Sequence, residues 1–125
     1  MTTSLRQMRH NEGFAVVRAG DHLDHSTTPA FRRALHEVAG SGRVVVDLTD
    51  VDFADPESIG ALAGAVHRFM GNGDRVAVAC RRPSLLRVLG MSRIDDFVPV
   101  VSSLEEAVAI VQRTEEDEEG DHAVH

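Results

Sequence analysis

The chain has 125 residues, 42% of them hydrophobic and 26% charged, with a formal charge of −7; this suits one soluble globular domain long enough to bury a core. Six acids sit in residues 115–121, EEDEEGD, and the rest of the chain holds 14 acids against 13 arginines and no lysine, which argues against a general nucleic-acid binder, since that needs clustered positive charge. With no Trp or Tyr, a single Cys and no long apolar run, neither an aromatic base-stacking platform, an internal disulfide nor a membrane span is expected, and the cytoplasm is the expected setting.

In chain order, residues 4–10 read as a short edge strand and 14–19, FAVVRA, as a better one, β-branched and compact. Residues 20–29 are rich in turn formers and read as a loop, with Ser and Thr residues before Pro29 marking a helix start. From Pro29, the apolar residues Phe31, Leu35 and Val38 share one helical face, and Arg32, Arg33, His36 and Glu37 take the other. GSG at 40–42 stops that helix. RVVVDL, 43–48, predicts a central strand covered on one face or both.

Ile59, Leu62, Ala63, Val66 and Phe69 then follow helical spacing up to GNGD at 71–74. RVAVAC, 75–80, is a second central strand, and PSLLRVLG, 83–90, a short helix opened by Pro and closed by Gly. VPVV, 98–101, is a short strand. Ser103 and Glu106 form a capping box for a last helix carrying Leu104, Ala107, Val108 and Val111. This alternation implies an α/β domain with a mostly parallel sheet and right-handed crossovers. After about residue 114 the chain cannot bury apolar surface, so a disordered, solubilising tail is expected.

Few residues point to chemistry. His22, Asp24 and His25 have weak metal-like spacing, and a solvated polar loop is the simpler reading. Cys80 closes an apolar strand and reads as a core residue, although Arg81 and Arg82 follow it. Ser84 and Ser58 lack a nucleophile elbow, and no phosphate loop or dinucleotide fingerprint exists, so no cofactor is expected. Arg81, Arg82, Arg87 and Arg93 read as the solvated side of a short helix. At 55–58, Asp55 is a good N-cap, Pro56 suits the first helical position, and Glu57 favours the positive end of the helix dipole. Helix mouths at the carboxyl ends of strands are also where α/β sheets place function.

Four stretches in order resemble the STAS domain family, and within it the bacterial anti-sigma factor antagonists: HLDHST at 22–27, VVVDLTDVDFAD at 44–55, SIGALAGAV at 58–66, and RVAVACRRPSLLRVLGMSRIDDFVPVVSSLEEAV at 75–108. The resemblance spans roughly residues 12–112, with a domain expected over 1–114 and the acidic tail over 115–125. It implies a single STAS-type α/β domain: a four-to-five-stranded, mixed, mostly parallel sheet with about four helices packed mainly on one side. It further implies a non-enzymatic module that docks on an anti-sigma factor, often an ATP-binding serine kinase, and is released when one serine is phosphorylated.

Where the family has Asp-Ser-Ser-Gly, this chain has Asp55-Pro56-Glu57-Ser58. Glu57 stands at the phosphoacceptor position and has no hydroxyl; its charge is about −1, against about −1.5 to −2 for phosphoserine. Ser58 is the candidate for a displaced acceptor. By the resemblance, Asp24, Asp55, Pro56, Glu57, Ser58, Met91 and Ser92 line the partner surface, on a monomer or weak dimer. Two rival readings are a STAS subunit of a lipid-transport or stress-signalling complex without phospho-switching, and a metal protein or enzyme built on His22, Asp24 and His25.

Overall fold

The computed structural model describes the backbone of residues 6–9 and the full structure of residues 13–113. The expected tail therefore lies outside the described residues, as do parts of the first expected strand. The elements are β1 (Arg6–Arg9), β2 (Ala15–Arg18), β3 (His22–Leu23), α1 (Thr28–Val38), β4 (Arg43–Asp47), β5 (Phe53–Ala54), α2 (Pro56–Gly71), β6 (Arg75–Ala79), α3 (Pro83–Met91), β7 (Val100–Val101) and α4 (Leu104–Gln112), with a 3-10 turn at Ile94–Asp96 before β7.

Five strands form one sheet in the order β1-β2-β4-β6-β7. β1 pairs antiparallel with β2, and every other pairing in it is parallel. β4 is central, and Val44, Val45 and Val46 are all fully buried, so both faces of the sheet are covered. Alternation along the strands divides the core in two. Ala15, Val17, Val44, Val46, Val76 and Val78 face Phe31 and Leu35 of α1, Leu62 and Phe69 of α2, and Leu85 and Leu89 of α3. Val16, Val45, Ala77 and Ala79 face Ala107 and Val111 of α4. Three helices thus share one side and α4 alone covers the other, the mixed α/β arrangement that the resemblance implies.

The expected elements are present with trimmed ends, and three local readings differ. Residues 20–29 are not wholly loop: β3 pairs in parallel with β5, His22 opposite Phe53 and Leu23 opposite Ala54. So short a pairing leaves no periodicity to read. The capping box is displaced by one residue. The Ser103 hydroxyl accepts from the Glu106 amide at 3.1 Å, but the Glu106 carboxylate accepts from the Ser102 amide at 3.2 Å rather than from the amide of Ser103. Of the strand expected over 98–101, only Val100–Val101 pairs, because the turn at Ile94–Asp96 carries the chain into the sheet late.

Two polar contacts lock loops at opposite ends of the sheet. The Asp74 carboxylate accepts from the Gly40 and Gly42 amides, each at 2.8 Å, tying the turn after α2 to the turn after α1. At the other end, the fully buried Asp47 carboxylate accepts from Arg18 Nε at 2.9 Å and from the Thr49 amide and hydroxyl at 3.0 and 2.7 Å. This contact holds the Arg18 guanidinium above its ordinary pKa, chiefly through the hydrogen bond to Asp47.

Candidate functional site

The mouth of α2 is assembled from two loops at the carboxyl ends of β2 and β4. Their β3–β5 pairing continues through the Asp55 amide, which donates to the Leu23 carbonyl at 2.8 Å. Asp55 is thereby fixed at the N-cap, in extended backbone, and its side chain accepts from the Ser58 amide at 2.8 Å. Pro56 follows at the first helical position, where a missing N–H costs nothing. The expected cap is therefore present atom for atom.

Glu57 is exposed and projects from the first turn of α2. Among the described residues its one ion pair is with Arg32 of α1, at 3.8 Å, with both side chains more than half exposed. A pair in that setting contributes about 0–1 kcal/mol. Glu57 thus presents a nearly free negative charge to solvent.

Ser58 is placed differently from the sequence expectation that it lines a surface. It is fully buried, and its hydroxyl lies 2.6 Å from the hydroxyl of Thr28, itself buried at the start of α1. Thr28 has one hydroxyl hydrogen, and that hydrogen goes to the Asp24 carbonyl at 2.7 Å. Ser58 must then be the donor to Thr28. The chain Ser58 to Thr28 to Asp24 carbonyl joins α2, α1 and the loop before α1. Helical geometry explains the burial: Ser58 stands four residues before Leu62 on the face that meets the core.

Asp24 meets the site through its carbonyl, while its carboxylate turns outward to accept from the Ser26 hydroxyl and amide at 2.6 and 3.0 Å. Those bonds, the hydroxyl's first, hold the Asp24 carboxyl below the usual carboxylate range. His22 packs its ring near Phe53, with centroids 6.5 Å apart, and His25 is exposed. Among the described residues, no three His, Cys, Asp or Glu side chains converge to hold a metal ion. Cys80 is buried, and burial raises its thiol pKa. Arg82 pairs with Asp52 and donates to the Val51 carbonyl at 3.3 Å, while Arg93 pairs with Asp96 at 3.0 Å. Two of the four arginines in and around α3 are thus paired with aspartates.

Beside Glu57 runs an apolar groove between α2 and α3. It holds about 300 Å³ and is lined by Ala54, Pro56, Ile59, Gly60, Ala63, Val88 and Ser92. A smaller depression of about 200 Å³, lined by Phe53, Ser84 and Leu85, shares Ala54 and Val88 with it. Two large apolar side chains stand exposed nearby in the chain: Phe53 at 51% and Met91 at 76%. Pro56 and Ser92 therefore line one groove, and Met91 stands exposed immediately before Ser92. Sequence reading missed Thr28, Phe53, Gly60 and Val88. Only Thr28 carried a signal, as a hydroxyl directly before Pro29.

The family model of the STAS domain matches residues 6–107, and the chain belongs to that family. It is 27% identical over 97 residues to the anti-sigma F factor antagonist of Paenibacillus polymyxa, covering 75% of this chain and 83% of that protein. Its fold is similar to the crystal structure of an anti-sigma factor antagonist from Mycobacterium paratuberculosis, with a TM-score of 0.79 and 23% identity over 90% of this chain and 96% of the other. It is also similar to the phosphorylated form of the Bacillus cell fate determinant SpoIIAA, with a TM-score of 0.68 and 17% identity over 84% and 96% of the two chains. No helix among the described residues is long and apolar enough to cross a membrane.

Proposed function

We propose that this protein is an anti-sigma factor antagonist that docks on a kinase-type anti-sigma factor through the mouth of α2, with Glu57 standing where its relatives accept a phosphoryl group. The observation that carries the reading is the juxtaposition of an exposed, fixed carboxylate at Glu57 with an apolar groove beginning at Pro56. An apolar anchor site rimmed by charge is the usual anatomy of a protein-docking patch. The relationship to the Paenibacillus antagonist supports the same class of partner. Asp55 serves as the cap, Pro56 and Ser92 line the contact surface, Met91 flanks it, and Asp24 braces it from behind.

In this reading Ser58 is structural. Its hydroxyl is buried and engaged with Thr28, so a kinase would first have to open the contact between α1 and α2. Glu57 instead supplies a permanent negative charge and imitates the released, modified state.

Titration calorimetry of the protein and of Glu57→Ser against kinase-type anti-sigma factors tests this. The expected result is weak binding by the natural chain and binding at least about tenfold tighter by Glu57→Ser, a difference of about 1.4 kcal/mol. Equal affinities would overturn the imitation and leave Glu57 as part of a cap. Failure of both forms to bind would overturn the docking function itself.

A further inference from the structure

A second charged feature lies apart from the groove, on the outer side of α1. Pro29, Arg32, Arg33 and His36 follow one another at helical spacing and, with Arg68 of α2, line an open depression of about 420 Å³. Among the described residues no carboxylate lines it. Glu57 reaches Arg32 from one end, Glu37 is exposed further round α1, and among the described residues Arg33 and Arg68 have no acidic partner. The arrangement is unusual in a chain whose formal charge is −7. Elsewhere Arg18, Arg82 and Arg93 are each paired with an aspartate.

The complementary charge is in the same chain. Residues 115–121 carry six acids and begin two residues after Arg113, the C-cap of α4. Val111 near the end of α4 packs in one cluster with Phe14, which precedes β2. α1 ends at Val38, and the turn after it leads into β4 beside that same end of β2. The two helices lie on opposite faces, so the path between them runs round one edge of the sheet, about 20–25 Å for two layers. Seven extended residues span about 23–25 Å.

We propose that the α1 stripe of Arg32, Arg33 and His36, with Arg68, is the docking site for the acidic segment 115–121 of the same chain. Each exposed ion pair contributes little. A tethered segment, however, is held at millimolar effective concentration, and the acids at its far end meet the basic groups of the stripe without a separate partner. Arg32 is then shared between Glu57 and the segment. Where the mouth of α2 is the partner surface proposed above, docking adds negative charge beside Glu57; that consequence rests on the earlier reading, and the docking does not.

The test compares amide chemical shifts of the full-length protein with those of a full-length variant carrying E115Q, E116Q, D117N, E118Q, E119Q and D121N. These substitutions lie outside the described residues, and no partner protein is involved. Outside the tail, the shift differences are expected to concentrate on Arg32, Arg33, His36 and Arg68. They are expected to fade as ionic strength rises from about 10 mM to about 1 M, where the screening length falls from about 30 to about 3 Å. Differences confined to the tail, or centred on Arg81 and Arg87, would overturn the proposal. So would differences that grow with protein concentration, since a second copy would then supply the segment.

Discussion

The hydroxyls of Ser58 and Thr28 lie 2.6 Å apart in the core, thirty residues apart in the chain, with Ser58 donating and Thr28 passing its own hydrogen to the Asp24 carbonyl. This relay joins three segments, α2, α1 and the loop before α1. The direction of the relay makes the two ends unequal. Thr28→Val leaves the Ser58 donor buried with no acceptor, and is expected to cost about 1–3 kcal/mol. Ser58→Ala leaves Thr28 still donating, and is expected to cost about 1 kcal/mol. Urea unfolding of both variants checks the order, and a larger loss for Ser58→Ala would reverse the assigned direction.

Acid should unfold the protein partly through two capping carboxylates. The Asp24 and Glu106 carboxyls titrate below their ordinary ranges, held chiefly by the hydroxyls of Ser26 and Ser102. Their folded-state pKa values lie below those of the unfolded chain. The stability they contribute is therefore complete above about pH 4–4.5 and is lost as pH falls through the lower folded values. Urea midpoints across this range should fall less steeply with acid for the Asp24→Asn, Glu106→Gln double variant than for the natural chain. Parallel pH profiles would remove these two groups from the acid response.

Two glycines on exposed positions of α2 separate stability from binding. A methyl group added at Gly60 or Gly64 meets nothing within 4 Å. Either change to Ala should stabilise the helix by about 0.5–1 kcal/mol. Gly60 lines the apolar groove and Gly64 does not. Both variants are expected to melt higher than the natural chain, while only Gly60→Ala weakens partner binding. Equal binding by the two would take the groove out of the interface.

The Asp47 carboxylate is fully buried, and Arg18 is its only charged partner among the described residues. Arg18→Met leaves that charge supported by Thr49 alone. A loss of about 1.5–3 kcal/mol is expected, the range for a hydrogen bond to a charged group. Asp47→Asn alongside Arg18→Met should recover part of the loss, because no buried charge is then left unmatched. Chemical denaturation of the single and double variants measures both effects, and an additive double variant would show that the two residues do not act as a pair.

Much of this could be read from the chain alone, for local reasons. The periodicity of Phe31, Leu35 and Val38, and of Ile59, Leu62, Val66 and Phe69, is a property of adjacent residues, and those residues do form the helix faces of the core. The Asp55 cap was equally legible, because its partner amide is three residues away. Glu57 stood out only against a family pattern, since by itself an acid in a first helical turn is ordinary.

What sequence alone could not supply was proximity across distance. The β3–β5 pairing is two residues long, too short to leave a pattern, yet it seats the mouth of α2. The partner of Ser58 comes from another helix, so the hydroxyl that receives its hydrogen bond could not be named until α1 and α2 were packed. Periodicity placed Arg32, Arg33 and His36 on the polar face of α1, but only the packing of α2 brings Arg68 beside them. The chain by itself determined the helices and the longer strands, and that residue 57 is an acid without a hydroxyl. The tertiary structure decided which hydroxyl is hidden, which carboxylate faces solvent and which arginines stand together, because burial and electrostatic neighbourhood arise only when distant segments are packed.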